Sequence, residues 1–258
     1  MPKRTLIIRT AGTNCDRELA HAFALAGSTV TIRHLNRLVS EPRQLEAYEL
    51  IGIPGGFSYG DDIAAGRIFA NRLRHRLGDA LRQAVDRGAA IIGICNGFQV
   101  LVKMGLLPDL DTGRQLATLA DNVGGRFVDR WVSLKADPDS VCLWTRGLDR
   151  FDLPIAHGEG RFLADTAASL QRWQAAGQIA LRYVAADNPN GSTDDIAGIC
   201  DPTGRVFGLM PHPERCVHPT QHPAWASPAL RSRSTVPFGL RMLRNAVEQA
   251  VHEKAVGA

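Results

Sequence analysis

Five residues, Ala90-Ile91-Ile92-Gly93-Ile94, do most to limit what this chain can become. The run is short, apolar and rich in isoleucine, which suits a strand buried on both faces of a parallel sheet. Immediately afterwards the period changes. Phe98, Leu101 and Val102 fall at helical spacing, and Gly105 follows as a C-terminal stop. Cys95 therefore sits where a strand turns sharply into a helix, between Gly93 and Gly97. The glycines permit a tight turn and a close approach of ligand to backbone. A side chain at such a turn projects from the carboxyl edge of the sheet, and the helix N-terminus behind it favours negative charge. This is the nucleophile-elbow arrangement with cysteine in place of serine. The competing reading is a small, buried, apolar cysteine, the commoner fate of this residue.

The segments before this run repeat its logic. Thr5 to Thr10 reads as a first strand. Asn14 is placed to cap a helix through Leu19, Phe23 and Ala26, with Asp16 and Glu18 in its first turn and Gly27 as its stop. Ser28 to His34 reads as a second strand, and Ser40-Glu41-Pro42 opens a short helix. Tyr48 to Ile53 is a third strand, leading into Pro54-Gly55-Gly56-Phe57-Ser58-Tyr59-Gly60-Asp61. A long helical region then runs to Arg87, with Gly88 as C-cap. Strand and helix alternating at this spacing predict a doubly wound parallel sheet.

The second half is richer in strands. Arg126 to Leu134 and Ile179 to Val184 read as strands, with Leu170 to Ala176 helical between them and Trp144 and Ile155 in connections. Asn190-Gly191 is a hairpin signal. Ile196 to Cys200 and Arg205 to Met210 form a strand pair around Pro202-Thr203-Gly204. Residues 216–235 look irregular, and residues 237–252 form an amphipathic helix with Leu240, Leu243, Val247 and Val251 on one face. No repeat or linker divides the 258 residues, so one domain over 1–258 is expected.

Composition serves here to exclude. A net charge of +4 is mild, and the patch Arg72, Arg74, His75, Arg76 lacks the aromatic interleaving of a nucleic-acid site. No apolar run approaches a membrane span of ~20 residues. The five cysteines are odd in number and widely spaced, which fits a reduced, cytoplasmic setting. No Walker A or Gly-x-Gly-x-x-Gly pattern is present, and neither histidines nor cysteines show zinc spacing.

A cysteine nucleophile needs a base, an orienter and an oxyanion hole. His212 and Glu214, held in a turn by Pro211 and Pro213 after a strand, are the leading base and orienter. His157, with Glu159 at the same spacing, is a rival. The elbow supplies one backbone donor, Asn96, and the Pro54-Gly55-Gly56 strand end can supply another. Glycine content makes that loop flexible by composition, so its donor could be misaimed until a partner docks.

The blocks Gly93-Ile94-Cys95-Asn96-Gly97-Phe98-Gln99, Pro54 to Asp61 and Met210 to Arg215 resemble the class I (triad) glutamine amidotransferases, and among them the branch serving purine biosynthesis. Gly12-Thr13-Asn14-Cys15-Asp16, Ile155 to Arg161, and Asn188 to Ser192 leading to Asp195 to Ile199 extend the resemblance from about residue 5 to 216. It implies a flavodoxin-like α/β fold, doubly wound and mostly parallel with added antiparallel strands. It implies Cys95 as nucleophile, His212 as base and Glu214 as orienter, with oxyanion donors at Gly56 and Asn96. Gly55, Phe57, Gln99 and Asn122 are implied around the substrate, L-glutamine. No metal or cofactor is implied on this chain. The implied partners are a larger synthetase, carrying ATP and Mg and converting formylglycinamide ribonucleotide to the amidine, and a small accessory subunit. The sequence departs from the family at Gly124, where serine is frequent, and at Ala11, where proline is. Two other functional classes stay open: another glutaminase or cysteine hydrolase on the same fold, such as a peptidase-like relative, and a catalytically silent scaffold.

Overall fold

The computed structural model describes residues 2–110, 112–228 and 236–250. The apolar runs of the first half become β1 (Arg4–Arg9), β2 (Thr29–His34), β3 (Leu50–Ile53) and β4 (Ala90–Ile94), all parallel, in the order β2-β1-β3-β4. Every residue of β3 and β4 is buried, as strands covered on both faces require. The helices α1 (Asp16–Leu25), α2 (Leu35–Ser40), α3 (Arg67–Asp86) and α4 (Asn96–Lys103) make the connections.

The second half extends the same sheet. After β5 (Ala117–Asp121) come β6 (Val128–Ala136), β7 (Arg150–His157), β8 (Glu159–Ala164), α5 (Ala167–Ala175), β9 (Ile179–Tyr183), β10 (Ile196–Cys200), β11 (Val206–Leu209) and α6 (Phe238–Gln249). β11 lies parallel beside β4, and β10, β9, β6 and β7 continue outward antiparallel, completing nine strands. β5 and β8 pair separately in a small antiparallel sheet. The fold is thus the flavodoxin-like α/β arrangement, with a parallel core and an antiparallel extension.

Several local expectations are corrected. Asn14 does not cap α1; Cys15 holds the N-cap position without a side-chain bond, and Asn14 Oδ1 instead stands 3.4 Å from Cys15 Sγ. Residues 35–40 form α2, capped by His34, whose Nδ1 accepts from the Asn36 N–H at 3.2 Å. Histidine is not a usual cap, which hid the start. The short helix at Pro42 is a 3-10 turn, Pro42–Ala47.

Ile155 lies inside β7 rather than in a connection. Phe151, Leu153, Ile155 and His157 alternate inward, and Pro154 is tolerated because β7 is the edge strand. Asn190-Gly191 does not make a tight hairpin turn. It sits in the long connection between β9 and β10, where Asn190 Nδ2 donates to Gly160 O at 2.8 Å and so locks that loop to β8. The irregular tract is described only to residue 228 and includes the 3-10 turn Pro219–Gln221. In α6, Leu240 and Leu243 are buried and Val247 is half-buried; Val251 lies outside the described residues.

Candidate active site

The parallel strands β1, β3, β4 and β11 all deliver their carboxyl ends to one edge of the sheet, where ligands of such folds bind. A pocket of about 460 Å³ opens there, lined by Cys15 after β1, Gly56 and Phe57 after β3, Cys95 after β4, and His212 and Arg215 after β11. His157, at the end of β7, closes another wall.

Cys95 has φ 52° and ψ −107°, a conformation no ordinary side-chain-bearing residue adopts without constraint. The constraint is packing. A Cβ on Gly97 would lie 1.9 Å from Ile53 O, and one on Gly93 would lie 2.5 Å from Gly97 O. The flanking glycines therefore let the first turn of α4 press against the ends of β3 and β4, while Cys95 itself takes the left-handed turn. Its backbone N–H donates to Leu209 O at 2.8 Å, tying the elbow to β11.

His212 follows β11 and is anchored by its own backbone N–H, which donates to Pro154 O at 2.8 Å. Pro213 starts a single 3-10 turn, and this turn brings Glu214 round so that His212 Nδ1 and Glu214 Oε1 are 2.6 Å apart. Both side chains are buried. With Nδ1 donating to the carboxylate, the other ring nitrogen, Nε2, has no hydrogen bond of acceptable geometry within the protein. Burial alone would lower the pKa of His212. The Glu214 carboxylate, then the sulfurs of Cys95 and Cys15, outweigh burial and hold it well above the usual imidazole value.

His157 has the opposite character. Burial, and then the proximity of His212, lower its pKa to about 4. Its Nδ1 lies 3.1 Å from Asn122 Oδ1. Asn122 Nδ2 already donates to Arg126 O and His157 O, both at 2.9 Å, so Oδ1 is the acceptor and His157 Nδ1 carries the proton. A neutral ring results, with Nε2 as an unpartnered acceptor. Glu159 does not orient it: Nδ1 is taken by Asn122 and Nε2 has no hydrogen-bond partner among the described residues.

The remaining expected residues divide. Asn96 begins α4, so its N–H belongs to the first turn, which has no intrahelical acceptors. Gly56 (φ 134°) faces the pocket and bridges to Thr13. The loop carrying it is fastened: Phe57 N–H donates to Gly12 O at 2.9 Å, Tyr59 N–H to Ala11 O at 2.8 Å, and Gly55 O accepts from Cys15 N–H at 3.3 Å. Glycine content suggested flexibility, but these bonds fix the loop to the β1–α1 turn. A Cβ on Gly55 would lie 2.9 Å from His212 Cε1 and 3.5 Å from Cys95 Cβ, so glycine here leaves the space beside both side chains free.

Phe57 stands half-exposed on the rim with Phe127 6.4 Å away. Gln99 lines the pocket, but its amide is engaged by Asn96 and Glu159. Asn122 is not among the lining residues; its side chain is spent on His157, Arg126 and Gly160, so it supports the wall rather than the pocket interior.

Sequence reasoning missed the chemistry of Cys15 and Arg215, which meet at 3.2 Å in the pocket, and of Asp61, whose carboxylate accepts from Gly66 N–H and Asn96 Nδ2 at 3.0 and 3.1 Å. The Gly12-Thr13-Asn14-Cys15 block was visible, but nothing local says that it reaches the strand end 200 residues later. Cys15, His212 and Glu214 present donor atoms within 4.8 Å of one another, the spacing of a cation's ligands. The Arg215 guanidinium against the Cys15 sulfur places a permanent positive charge there and opposes a metal ion.

Comparisons with known proteins match nearly the whole chain. Residues 2–249 match the CobB/CobQ-like glutamine amidotransferase domain. The chain is 45% identical to the phosphoribosylformylglycinamidine synthase subunit PurQ of Dehalococcoides mccartyi, covering 96% of this chain and 97% of the relative. It is 41% identical to the same subunit of Methanococcus maripaludis, covering 95% and 96%. Among solved structures, PurLQS from Thermotoga maritima contains a chain that superposes with a TM-score of 0.74 at 31% identity, covering 96% of this chain and 99% of that one. A glutamine amidotransferase from the same organism shares the fold, with a TM-score of 0.58 at 16% identity over 98% and 100%.

Proposed function

Since the chain belongs to the CobB/CobQ-like glutamine amidotransferase family, we propose that it hydrolyses L-glutamine as the ammonia-supplying subunit of a phosphoribosylformylglycinamidine synthase. The observation that carries this reading is the pairing, in one pocket, of a cysteine held at φ 52° on a strand-to-helix elbow with a buried His212–Glu214 couple at 2.6 Å. The pocket also suits an amino acid bearing both charges, because Arg126 and Arg215 share its lining with Asp61, Asp121, Asp129 and Glu159.

In this reading His212 accepts the Cys95 thiol proton and the sulfur attacks the side-chain amide carbon. The carbonyl oxygen becomes an oxyanion facing the N–H groups of Gly56 and Asn96. Collapse breaks the C–N bond, and His212 returns its proton to the leaving ammonia. A γ-glutamyl thioester remains on Cys95. Water, deprotonated by His212, adds to the thioester and releases glutamate and the thiol. His157, neutral with a free acceptor nitrogen, offers a hydrogen-bond site to substrate N–H rather than a competing base.

Ammonia formed here needs a receiver. The receiver is a larger synthetase that binds ATP and Mg and converts formylglycinamide ribonucleotide to the amidine, joined by a small accessory subunit. The presence of a similar chain in PurLQS supports this arrangement. The chain itself needs no cofactor for amide hydrolysis through a thioester. Five free cysteines fit a cytoplasmic setting for the complex. Among the described residues no helix is long and apolar enough to cross a membrane.

The test has two arms. Treatment with a glutamine-like electrophile should add one label, and peptide mass analysis should place it on Cys95. Mixing the chain with the synthetase should give amidine formation that depends on glutamine. Labelling on Cys95 without amidine synthesis would leave a glutaminase of another pathway.

A further inference from the structure

Cys15 lines the same pocket as Cys95, and the thioester chemistry gives it no task. It is only 2% exposed. Arg215 Nη2 donates to its sulfur at 3.2 Å, and Arg215 is in turn fixed by Glu18, Nε to Oε2 at 3.0 Å. The same sulfur lies within 4.8 Å of a His212 ring nitrogen and of a Glu214 carboxylate oxygen. A Cβ on Gly55 would sit 2.9 Å from His212 Cε1 and 3.3 Å from Cys15 Sγ, which puts the sulfur on the Cε1 side of the ring. The strand-end loop also fixes Cys15 through its backbone N–H to Gly55 O. An electron-rich, polarisable atom is thus clamped beside the imidazole by the Arg215 guanidinium.

Building on the reading of His212 as the proton carrier, we propose that Cys15 is a positioning residue for His212: anchored by Arg215, its sulfur stabilises the imidazolium that later protonates the leaving ammonia. The groups facing His212 are few. Glu214 and Arg215 lie on its own turn, Cys95 comes from the elbow, Cys15 from the start of α1 with Glu18 behind Arg215, and His157 from the end of β7. Glu214 and the two sulfurs favour the charged ring, whereas Arg215 and His157 do not. Cys15 therefore matters in two ways, as an acceptor near the ring and as the atom that engages the nearest arginine. Its effect on His212 is in the same direction as that of Cys95.

The test follows the titration of His212 by ring-nitrogen NMR in the full chain, with His212→Gln to assign the signal. The midpoint should fall in the order wild type, Cys15→Ser, Cys15→Ala, with Cys15→Ala lower by about one pH unit. The alkaline limb of kcat/KM for glutamine hydrolysis by the complex should move with it, since that limb reports loss of the His212 proton. Serine keeps an acceptor for Arg215 but not the sulfur, so its intermediate place is diagnostic. Should Cys15→Ala fail to fold, the order of wild type above Cys15→Ser carries the test. An unmoved midpoint in Cys15→Ala, or a Cys15→Ser midpoint at or above the wild type, overturns the proposal, as does a change confined to KM. A moved midpoint in a chain without glutaminase activity supports the positioning role and removes the glutaminase reading instead.

Discussion

At the scale of single residues, geometry separates cysteines that composition cannot. Cys95→Ala should abolish glutamine-dependent turnover, a loss of at least about 10⁴-fold if the thioester route is lost. Cys200→Ala should remain active although destabilised, because Cys200 is buried in β10 and its thiol is pushed far up in pKa, first by Cys142 and then by burial. Equal loss in a folded Cys200→Ala protein would count against the assignment. The two buried histidines give a second expectation. His157 is lowered to about 4 in the folded protein, so it stays neutral while the unfolded chain takes up a proton below about pH 6.5. The stability it allows is complete above that pH and is lost as pH falls towards 4, by on the order of 3 kcal/mol. His212 has the opposite sign: its contribution is present below about pH 6.5 and is lost as pH rises through its raised folded value. Urea unfolding at pH 7 and pH 4.5 should show the acid loss in the wild type and a smaller loss in His157→Gln.

At the scale of elements, the elbow is a packing contact before it is a catalytic one. α4 can begin so close to β3 only because Gly97 has no side chain. Gly97→Ala should cost at least about 2 kcal/mol in urea unfolding, since the clash is with backbone and cannot be relieved by a rotamer change. Gly124→Ala, where a Cβ meets nothing within 4 Å, should change stability by less than about 0.5 kcal/mol. Similar costs at both positions would show that the elbow is looser than its contacts require. The strand-end loop after β3 follows the same rule: its three bonds to the β1–α1 turn give Gly56 a defined direction.

At the scale of the whole molecule, the fixed loop changes what control by a partner can mean. Because the loop carrying Gly56 is already braced, the isolated chain should form the covalent adduct with a glutamine-like electrophile. The pocket is still open to solvent on the side of Phe57 and Phe127. Steady-state hydrolysis should therefore rise, about tenfold or more, when the synthetase and its ligands are added, through covering of the site rather than assembly of it. A lone chain as fast as the complex would remove the idea of gating while leaving the glutaminase in place.

The sequence by itself determined the parallel half of the fold and singled out Cys95, His212 and Glu214, which the structure gathers at one pocket. Ala90–Ile94, with its change of period at Cys95, is a local signal, and so is the Pro-His-Pro-Glu turn that folds Glu214 back on His212. Such features depend on neighbours in the chain, and neighbours are legible. What only the tertiary structure decided rests on contacts across long separations. β7 reads as a connection until its place at the sheet edge explains Pro154, and Asn14 reads as a cap until the β3 loop is laid against it. Asn122 reads as a substrate contact until its amide is seen spent on His157, and Cys15 has no chemistry until Arg215, 200 residues further along the chain, arrives beside it. A side chain's partner is set by the packing of whole elements, and no local pattern of polarity or spacing encodes it.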